Sequence, residues 1–201
     1  MWHDFELSEE FFLLLLEIDR QIAEQVRAAG CGCGGRLHRA DYPRKLRGIV
    51  GGVGRAYGRR FSFCCDQDGC RERHTPMSVR FLGRRVYVAA IVVLACVRAK
   101  PLPVAETPTP ERQQPATKIA APLAPKRTVM RWRKWWQTGF IASALYAATR
   151  GRFVPPVCTE QLPSSLLSRF SGTADDKLKS ALKYLSPLSI SPYRSGLLMV
   201  E

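Results

Sequence analysis

The clearest pattern of hydrophobic and polar positions lies near the start of the chain, in LSEEFFLLLLEIDRQIAEQVRAAG. Apolar residues recur there every three or four positions, which is the repeat of one helix face. Ser8 is suited to cap the first turn, two glutamates follow it, and Gly30 is suited to end the helix. The pattern predicts a helix over residues 9–29 whose apolar stripe packs within the chain, against a partner helix or in a homodimer. The stripe consists of Phe11, Leu15, Ile18, Ile22 and Val26.

The next segment, residues 31–85, is rich in glycine, arginine, cysteine and aromatic residues and poor in large aliphatic ones. Two short strands are predicted in it, RLHRA and RRFSFCC. They lie on either side of the glycine-rich RGIVGGVGRAYG, which we interpret as a hairpin tip. A segment of this size with so few aliphatic side chains buries too little apolar surface to fold alone, so it needs a cross-link.

The longest apolar run is VYVAAIVVLACV, residues 86–97. A helix that spans a bilayer needs about 20 apolar residues, so this shorter run predicts a buried helix or strand. The acidic start of the chain, MWHDFELSEE, lacks the basic leader of a secretory signal. We therefore expect no membrane association and a cytoplasmic location, where thiols stay reduced.

The second half of the chain combines a linker with helices. Residues 99–125 contain seven of the 14 prolines, which predicts an extended linker. Helical spacing then predicts a helix from Val129 to Gly151 and two short helices, over PSSLLSRF and ADDKLKSALKYL. Thr173 is suited to cap the second short helix, because Asp176 follows it by three residues as in a capping box. The expected fold class is α+β. Its predicted segments are an N-terminal helix (1–30), a cysteine-rich β module (31–85), a buried apolar element (86–98), the linker (99–125) and a helical C-terminal region (126–201).

Charge narrows the class of partner. The chain carries a net charge of +14, with +11 in residues 36–100 and +7 in residues 101–152, whereas residues 1–30 are acidic. Most of the cations are arginines, which bind phosphates and base edges through paired hydrogen bonds. This concentration favours a nucleic acid over evenly solvated basic side chains. Candidate contacts in the basic segment are Arg36, Arg39, Arg44, Lys45 and Arg84.

Seven cysteines are an odd number, and in a reducing compartment metal ligation is favoured over disulfides. A structural zinc site takes four ligands from two closely spaced pairs, and metal binding closes the loop between them. The spacing selects Cys31, Cys33, Cys65 and Cys70. Cys64 and His74 are substitutes, and buried free cysteines are the alternative interpretation. Cys96 and Cys158 stand alone among apolar residues and are predicted to be packing residues.

Two stretches, CGCGGRLHRADY and YGRRFSFCCDQDGCRERHTPMSVRF, resemble the zinc ribbon at the head of bacterial insertion-sequence transposases. In that family a cysteine and glycine turn, a strand, a second cysteine pair and a segment with arginine and threonine follow in this order. The resemblance covers residues 31–85, with one residue instead of two between the first cysteines. It implies a structural zinc on the same four cysteines and a DNA-facing side that includes Arg71, Arg73 and Arg80.

In those transposases a helix-turn-helix often follows the ribbon, and APKRTVMRWRKWW resembles the start of its recognition helix. Val129, Trp132 and Trp136 would face the core. Three basic residues would lie opposite, free to enter a major groove, namely Arg127, Arg131 and Lys134. The alternative is a tryptophan-packed core helix with a solvated basic back.

Catalysis is not expected from this sequence. Strand transfer needs a carboxylate cluster that holds two metal ions on a sizeable core, and few acidic residues follow the tryptophans. We expect a non-catalytic bacterial protein of the nucleoid that binds double-stranded DNA. It would serve as an accessory factor in transposition or recombination, with a separately encoded transposase or recombinase as partner, or as a transcriptional regulator. The alternatives are a scaffold for an acidic partner and an RNA-binding protein.

Overall fold

The structure, a computed structural model, describes residues 7–44, 54–82, 88–97 and 125–190. It begins with a long helix, continues through two small antiparallel sheets and a second helix, and ends in a series of shorter helices. This combination is an α+β fold, as predicted. The predicted linker and most of the predicted hairpin tip lie outside the described residues.

The first helix, α1 (Glu9–Ala29), has the bounds that the sequence predicts. Ser8 Oγ accepts a hydrogen bond from the backbone N–H of Phe11 at 3.2 Å, and Gly30 follows the helix with a φ of 72° that favours glycine. Phe11, Leu15 and Ile18 of the apolar stripe are buried, and Ile22 and Val26 are partly buried against the core. The stripe therefore packs inside the chain, and a homodimer through α1 would have to use another face of the helix.

In the part of the chain that the structure describes, five short strands form two sheets. They are β1 (Leu37–Arg39), β2 (Tyr42–Pro43), β3 (Arg59–Arg60), β4 (Phe63–Cys65) and β5 (Arg73–His74). The larger sheet has the order β1–β4–β5, and β2 pairs with β3. The predicted strand RLHRA contains β1, and RRFSFCC divides into β3 and β4. In the larger sheet His38 pairs with Cys64 and Cys64 with Arg73, so these three side chains share the outer face.

The long apolar run forms a buried helix, which was one of its two predicted forms. This helix, α2 (Ala89–Val97), is buried from Ala89 to Ala95. It packs against α3 (Lys126–Trp135) and α6 (Ala174–Leu185) of the C-terminal region. Within the described ranges, no helix has the length and apolar character needed to cross a bilayer.

The helix predicted from Val129 to Gly151 is interrupted, which corrects the sequence prediction. Helix α3 continues into a π-helical turn, Trp136–Phe140, and α4 (Ala144–Thr149) starts only after a further turn. Ser143 causes the restart, because its Oγ accepts a hydrogen bond from Tyr146 N at 3.2 Å and so caps a new helix. The apolar spacing alone did not reveal this cap.

Both predicted short C-terminal helices are present, and the first is shorter than its predicted stretch PSSLLSRF. They are α5 (Ser164–Leu167) and α6, whose range matches ADDKLKSALKYL. Thr173 Oγ1 accepts a hydrogen bond from Asp176 N at 3.3 Å, and the Asp176 carboxylate accepts one from Thr173 N at 3.2 Å. This reciprocal pair is the predicted capping box.

A buried ion pair joins α1 to the segment that follows the sheets. The Asp19 carboxylate accepts hydrogen bonds from Arg80 Nε and from Val79 N, both at 2.7 Å. Arg80 also donates to the carbonyl oxygens of Tyr57 and Arg59, and its side chain is fully buried. The expectation that Arg80 lies on a DNA-facing side is therefore wrong, because its guanidinium is engaged inside the protein.

Among the described residues, nearly all buried hydrophobic side chains belong to one cluster that extends from Leu7 to Leu185. It includes α1, the sheet residues, α2 and the C-terminal helices. The Phe12 ring of α1, for example, meets the edge of Tyr57 with a centroid separation of 5.2 Å. The sheet segment thus shares the apolar surface of its neighbours, which compensates for its own lack of aliphatic residues.

Candidate metal centre

The first cysteine pair lies on a tight loop directly after α1. Cys31 N donates to the carbonyl oxygen of Gly35 at 3.0 Å, and Gly34 N donates to that of Cys31 at 2.8 Å. Gly34 adopts a φ of 84°, a conformation open to glycine at little cost. Only one residue separates Cys31 from Cys33. The glycines around them therefore allow both thiols to join the same cluster.

The second pair lies on the turn between β4 and β5. Cys65 ends β4, and its N–H donates to the carbonyl oxygen of Glu72 at 2.9 Å. Within the turn, the N–H groups of Cys70 and Arg71 both donate to the carbonyl oxygen of Gln67 at 3.0 Å. The turn folds Cys70 back toward Cys65, although four residues separate them in the sequence.

Strand pairing brings the two loops together. Leu37 of β1 lies opposite Cys65 of β4. Next to this pair, Asp66 N donates to the carbonyl oxygen of Arg36 at 3.0 Å, and Arg36 N donates to Asp66 Oδ1 at 2.8 Å. The loops pack so closely that a Cβ atom placed on Gly35 would lie 2.5 Å from Cys65 Sγ. The sheet register therefore fixes the relative position of the two cysteine pairs.

The four sulfur atoms form a compact group. All lie within 4.8 Å of one another, with 3.7 Å between the Sγ atoms of Cys31 and Cys70 and 3.4 Å between those of Cys33 and Cys65. These distances are too long for disulfides, in which the sulfurs are about 2.05 Å apart. Four sulfurs bound tetrahedrally at about 2.3 Å from one metal ion would be about 3.8 Å apart. The cluster predicted from sequence spacing is thus brought together with dimensions compatible with a metal site.

The backbone around the cluster favours negative charge on the sulfurs. Each Sγ accepts a hydrogen bond from the N–H group two residues further along the chain, a repeat that holds for both loops. The donors are the N–H groups of Cys33, Gly35, Gln67 and Glu72. Hydrogen bonds of this kind stabilise thiolates, the form of cysteine that binds metals.

The first pair ionises more readily than an ordinary thiol. The N–H of Gly35, followed by the thiol of Cys65, lowers the pKa of Cys33 to about 7. The N–H of Cys33, followed by the His74 side chain, lowers the pKa of Cys31. Near neutral pH Cys33 is therefore partly ionised and supplies negative charge to the cluster.

The second pair behaves in the opposite way. The N–H of Gln67 favours ionisation of Cys65, but burial and the neighbouring thiols outweigh it and raise the pKa of Cys65 to about 12. The N–H of Glu72 acts likewise on Cys70, and the thiol of Cys33 together with burial raises the pKa of Cys70. Four thiols so close together cannot all carry charge alone, whereas a bound cation would deprotonate them together.

Of the two predicted substitutes, one lies next to the cluster and the other faces away. His74 Nε2 is 3.3 Å from Cys31 Sγ and 3.8 Å from Glu72 Oε2, so the imidazole can orient Cys31 by hydrogen bonding. Cys31, Glu72 and His74 also form a second group of potential donors, but it shares Cys31 with the first. Cys64 lies on the outer sheet face, where its thiol donates to the carbonyl oxygen of Arg71 at 3.4 Å. Cys64 is therefore not part of the cluster.

The basic residues predicted to contact nucleic acid fall into several environments. Arg36 is exposed beside the cluster, and Arg73 is exposed on the outer sheet face. Arg39 and Arg71 are also exposed and form ion pairs with aspartates. Arg44 is half-buried with its guanidinium 5.4 Å from the centre of the Tyr42 ring. Lys45 and Arg84 lie outside the described residues.

Along α3 and into the π-helical turn that follows it, the side chains lie on the predicted faces. Trp132 and Trp136 are buried and Val129 is partly buried, whereas the basic residues lie on the exposed side. These exposed residues are Arg127, Arg131 and Lys134. Whether α3 forms the second helix of a helix-turn-helix stays a prediction, since the residues before Pro125 lie outside the described part.

One cysteine and one carboxylate lie in environments that the sequence pattern did not predict. Cys96 is half-buried, and burial raises its pKa to about 12. Cys158 is exposed, so its assignment as a packing residue is wrong. Asp19 was not recognised as a core residue, although it follows Leu15 by four positions and precedes Ile22 by three, on the apolar stripe. A single acid on such a stripe is a signal for a buried ion pair.

Comparisons of the chain with protein-family models, with curated proteins and with solved structures found no match.

Proposed function

We propose that this chain is a non-catalytic DNA-binding protein whose cysteine-rich β module is held together by one structural zinc ion. The observation that carries the proposal is the cluster of Cys31, Cys33, Cys65 and Cys70 beside exposed arginines of the same module. A metal on these sulfurs would link the two loops and hold the strands that present the arginines. The metal would thus stabilise the binding surface without taking part in a reaction.

Zinc is the cation that we assign to the cluster. Four thiolates in a tetrahedral arrangement select a soft metal, and zinc has no redox chemistry of its own. With sulfur at every vertex, no position is open for a water molecule or substrate, which is typical of structural sites. The pattern of backbone N–H groups supports this assignment, because it balances the charge of several thiolates.

Double-stranded DNA is the partner that we infer from the exposed cations. The module and α3 both present arginine or lysine on surfaces outside the core, within a chain of net charge +14. Arginine binds phosphates and base edges, and binding of this kind weakens with salt because condensed counterions are released. We infer a role beside a separately encoded transposase or recombinase, or in regulating transcription. The alternatives remain an acidic protein partner and RNA.

The metal half of the proposal is tested by elemental analysis of protein purified without chelator. We expect about one zinc per chain in wild type and much less in Cys70→Ser, with Cys158→Ser as a matched control that keeps the metal. An intact fold with no metal would refute the assignment. Iron in place of zinc would be evident from visible absorption and would correct the identity of the ion.

The DNA half is tested by duplex binding over a range of salt concentrations. Log affinity should fall steeply with log salt, by about 0.9 for each phosphate contact. The double substitution Arg36→Ala and Arg73→Ala should reduce this slope by about two. Arg20→Ala with Arg27→Ala is the charge-matched control, since these exposed arginines of α1 pair with glutamates. A flat slope would favour the acidic-partner alternative, and tighter binding to RNA of the same sequence would favour RNA.

A further inference from the structure

An exposed methionine lies within the basic face of α3. Among the described residues, the large hydrophobic side chains that are exposed are Leu13, Leu14, Met130 and Val154. Met130 is 55% exposed, and α3 has the sequence KRTVMRWRKW, with no acidic residue. The fold leaves the Met130 side chain exposed, so it is accessible to a partner that binds the basic face of α3.

The geometry of the helix places Met130 among the cations. At about 100° per residue, the exposed arc from Lys126 to Arg131 covers about 140° of the circumference, and Met130 lies within it between Lys126 and Lys134. Arg127 lies three positions before Met130 on the same side. Arg131 lies at the edge of the arc, where Nη2 donates to Thr128 Oγ1 at 3.2 Å. One apolar side chain is therefore surrounded by positive charge.

A lipid surface does not fit this arrangement. A helix that binds at a membrane interface inserts a continuous apolar face, with its cations on the other side. The apolar face of α3 carries Trp132 and continues to Trp136 in the following turn, and both tryptophans are buried in the core. The free face offers a single apolar side chain among cations, which is too little for insertion.

The major groove of DNA offers complementary chemistry. It is about 12 Å wide and admits an α-helix, with phosphates along both rims. On its floor, the 5-methyl group of thymine is an apolar target that favours contact with an apolar side chain. Met is flexible and unbranched, and so adapts well to such a contact.

We propose that Met130 contacts a thymine methyl group in the major groove, with Arg127 and Lys134 on the flanking phosphates. This inference rests on the proposed DNA-binding function and adds a residue that determines sequence preference. Arg127 and Lys134 supply affinity for any duplex, whereas Met130 distinguishes thymine from cytosine and from uracil, both of which lack the methyl group.

The test removes the methyl group from the DNA and the methionine from the protein. A preferred site is first selected from random duplexes with the full-length, metal-loaded protein. Each thymine of that site is then replaced by deoxyuridine. We expect at least one replacement to weaken wild-type binding about fourfold, the effect of one buried methyl group. Met130→Gln should bind the thymine and deoxyuridine duplexes equally, while Val154→Ala, which changes an exposed apolar residue elsewhere, should keep the fourfold difference.

The outcomes separate this inference from the function on which it rests. Absence of duplex binding would overturn both. Salt-dependent duplex binding without a preferred site, or without any effect of deoxyuridine, would overturn the methionine contact and leave the DNA-binding function standing. A deoxyuridine effect that persists in Met130→Gln would also overturn it. Binding to phosphatidylglycerol vesicles that is lost in Met130→Gln, with no duplex binding, would replace it with a membrane contact.

Discussion

At Gly35 the two cysteine-bearing loops approach so closely that no side chain fits. A Cβ atom there would lie 2.5 Å from Cys65 Sγ and 2.7 Å from Gln67 Cγ. The same residue donates its N–H to Cys33 Sγ. The geometry of the cluster thus depends on the absence of one methyl group as much as on the presence of four thiols.

Gly35→Ala is therefore expected to lower metal affinity by about tenfold or more, because the alanine has to push Cys65 and its turn away from the other sulfurs. Gly32→Ala is the matched control, since a Cβ there meets nothing within 4 Å, and its affinity should stay within about twofold of wild type. Competition with a chromophoric chelator measures both. Equal affinities for the two variants would contradict the tight packing at Gly35.

At the scale of elements, local signals in the sequence predicted what local physics determines. The bounds of α1 and α6 follow from caps and glycine within a few residues, and both were predicted correctly. The interruption at Ser143 was missed because periodicity counts apolar positions and not competing caps. Arg80 was misplaced because its partner, Asp19, lies 61 residues away in the sequence. Clustering of the four cysteines was predictable because ligand spacing within each pair is a local feature.

The capping box of α6 leads to a prediction about pH. The ammonium group of Lys179, 2.7 Å from Asp176 Oδ1, followed by the Thr173 hydroxyl, lowers the pKa of Asp176 to about 2 from an ordinary value of 3.8. A lowered pKa means that the carboxylate stabilises the helix above pH 4, and that this contribution is lost as the pH falls from about 4 to about 2. Lys179→Ala should raise the pKa of Asp176 toward 3.8, as followed by NMR titration. Lys177→Ala, on the same helix, should raise it less.

At the scale of the whole molecule, a buried polar network connects distant parts of the chain. Asp19 of α1 forms an ion pair with Arg80. Near the end of the described chain, Ser189 Oγ accepts hydrogen bonds from Ser78 N at 2.8 Å and from Arg60 Nη2 at 3.3 Å. Ser78 Oγ in turn donates to Asp19. Helix α1, the β module and the C-terminal region therefore share polar as well as apolar contacts.

Asp19→Ala should destabilise the protein by about 3–5 kcal/mol, because it leaves the buried guanidinium of Arg80 without its counterion. The free energy of unfolding in urea measures the effect. Glu17→Ala, which removes an exposed partner of Arg20, should cost no more than about 1 kcal/mol. A loss of less than about 1 kcal/mol for Asp19→Ala would show that the network contributes little to stability.

Metal removal tests whether the proposed zinc ion stabilises both the β module and the C-terminal region. Three of the four tryptophans lie in the C-terminal region, at positions 132, 135 and 136. In a Trp2→Phe background, tryptophan fluorescence therefore reports on this region alone, which is far from the four clustered cysteines in sequence. Because one hydrophobic cluster includes both parts, chelation should lower the stability reported by these tryptophans. The expected loss is about 2.7 kcal/mol relative to protein with free zinc at about 100 times its dissociation constant. Cys158→Ser should respond as wild type does, whereas Cys70→Ser should be unstable with or without chelator. If chelation leaves the free energy of unfolding reported by these tryptophans unchanged, the β module unfolds independently of the C-terminal region. The division of the sequence into separate segments predicts that outcome.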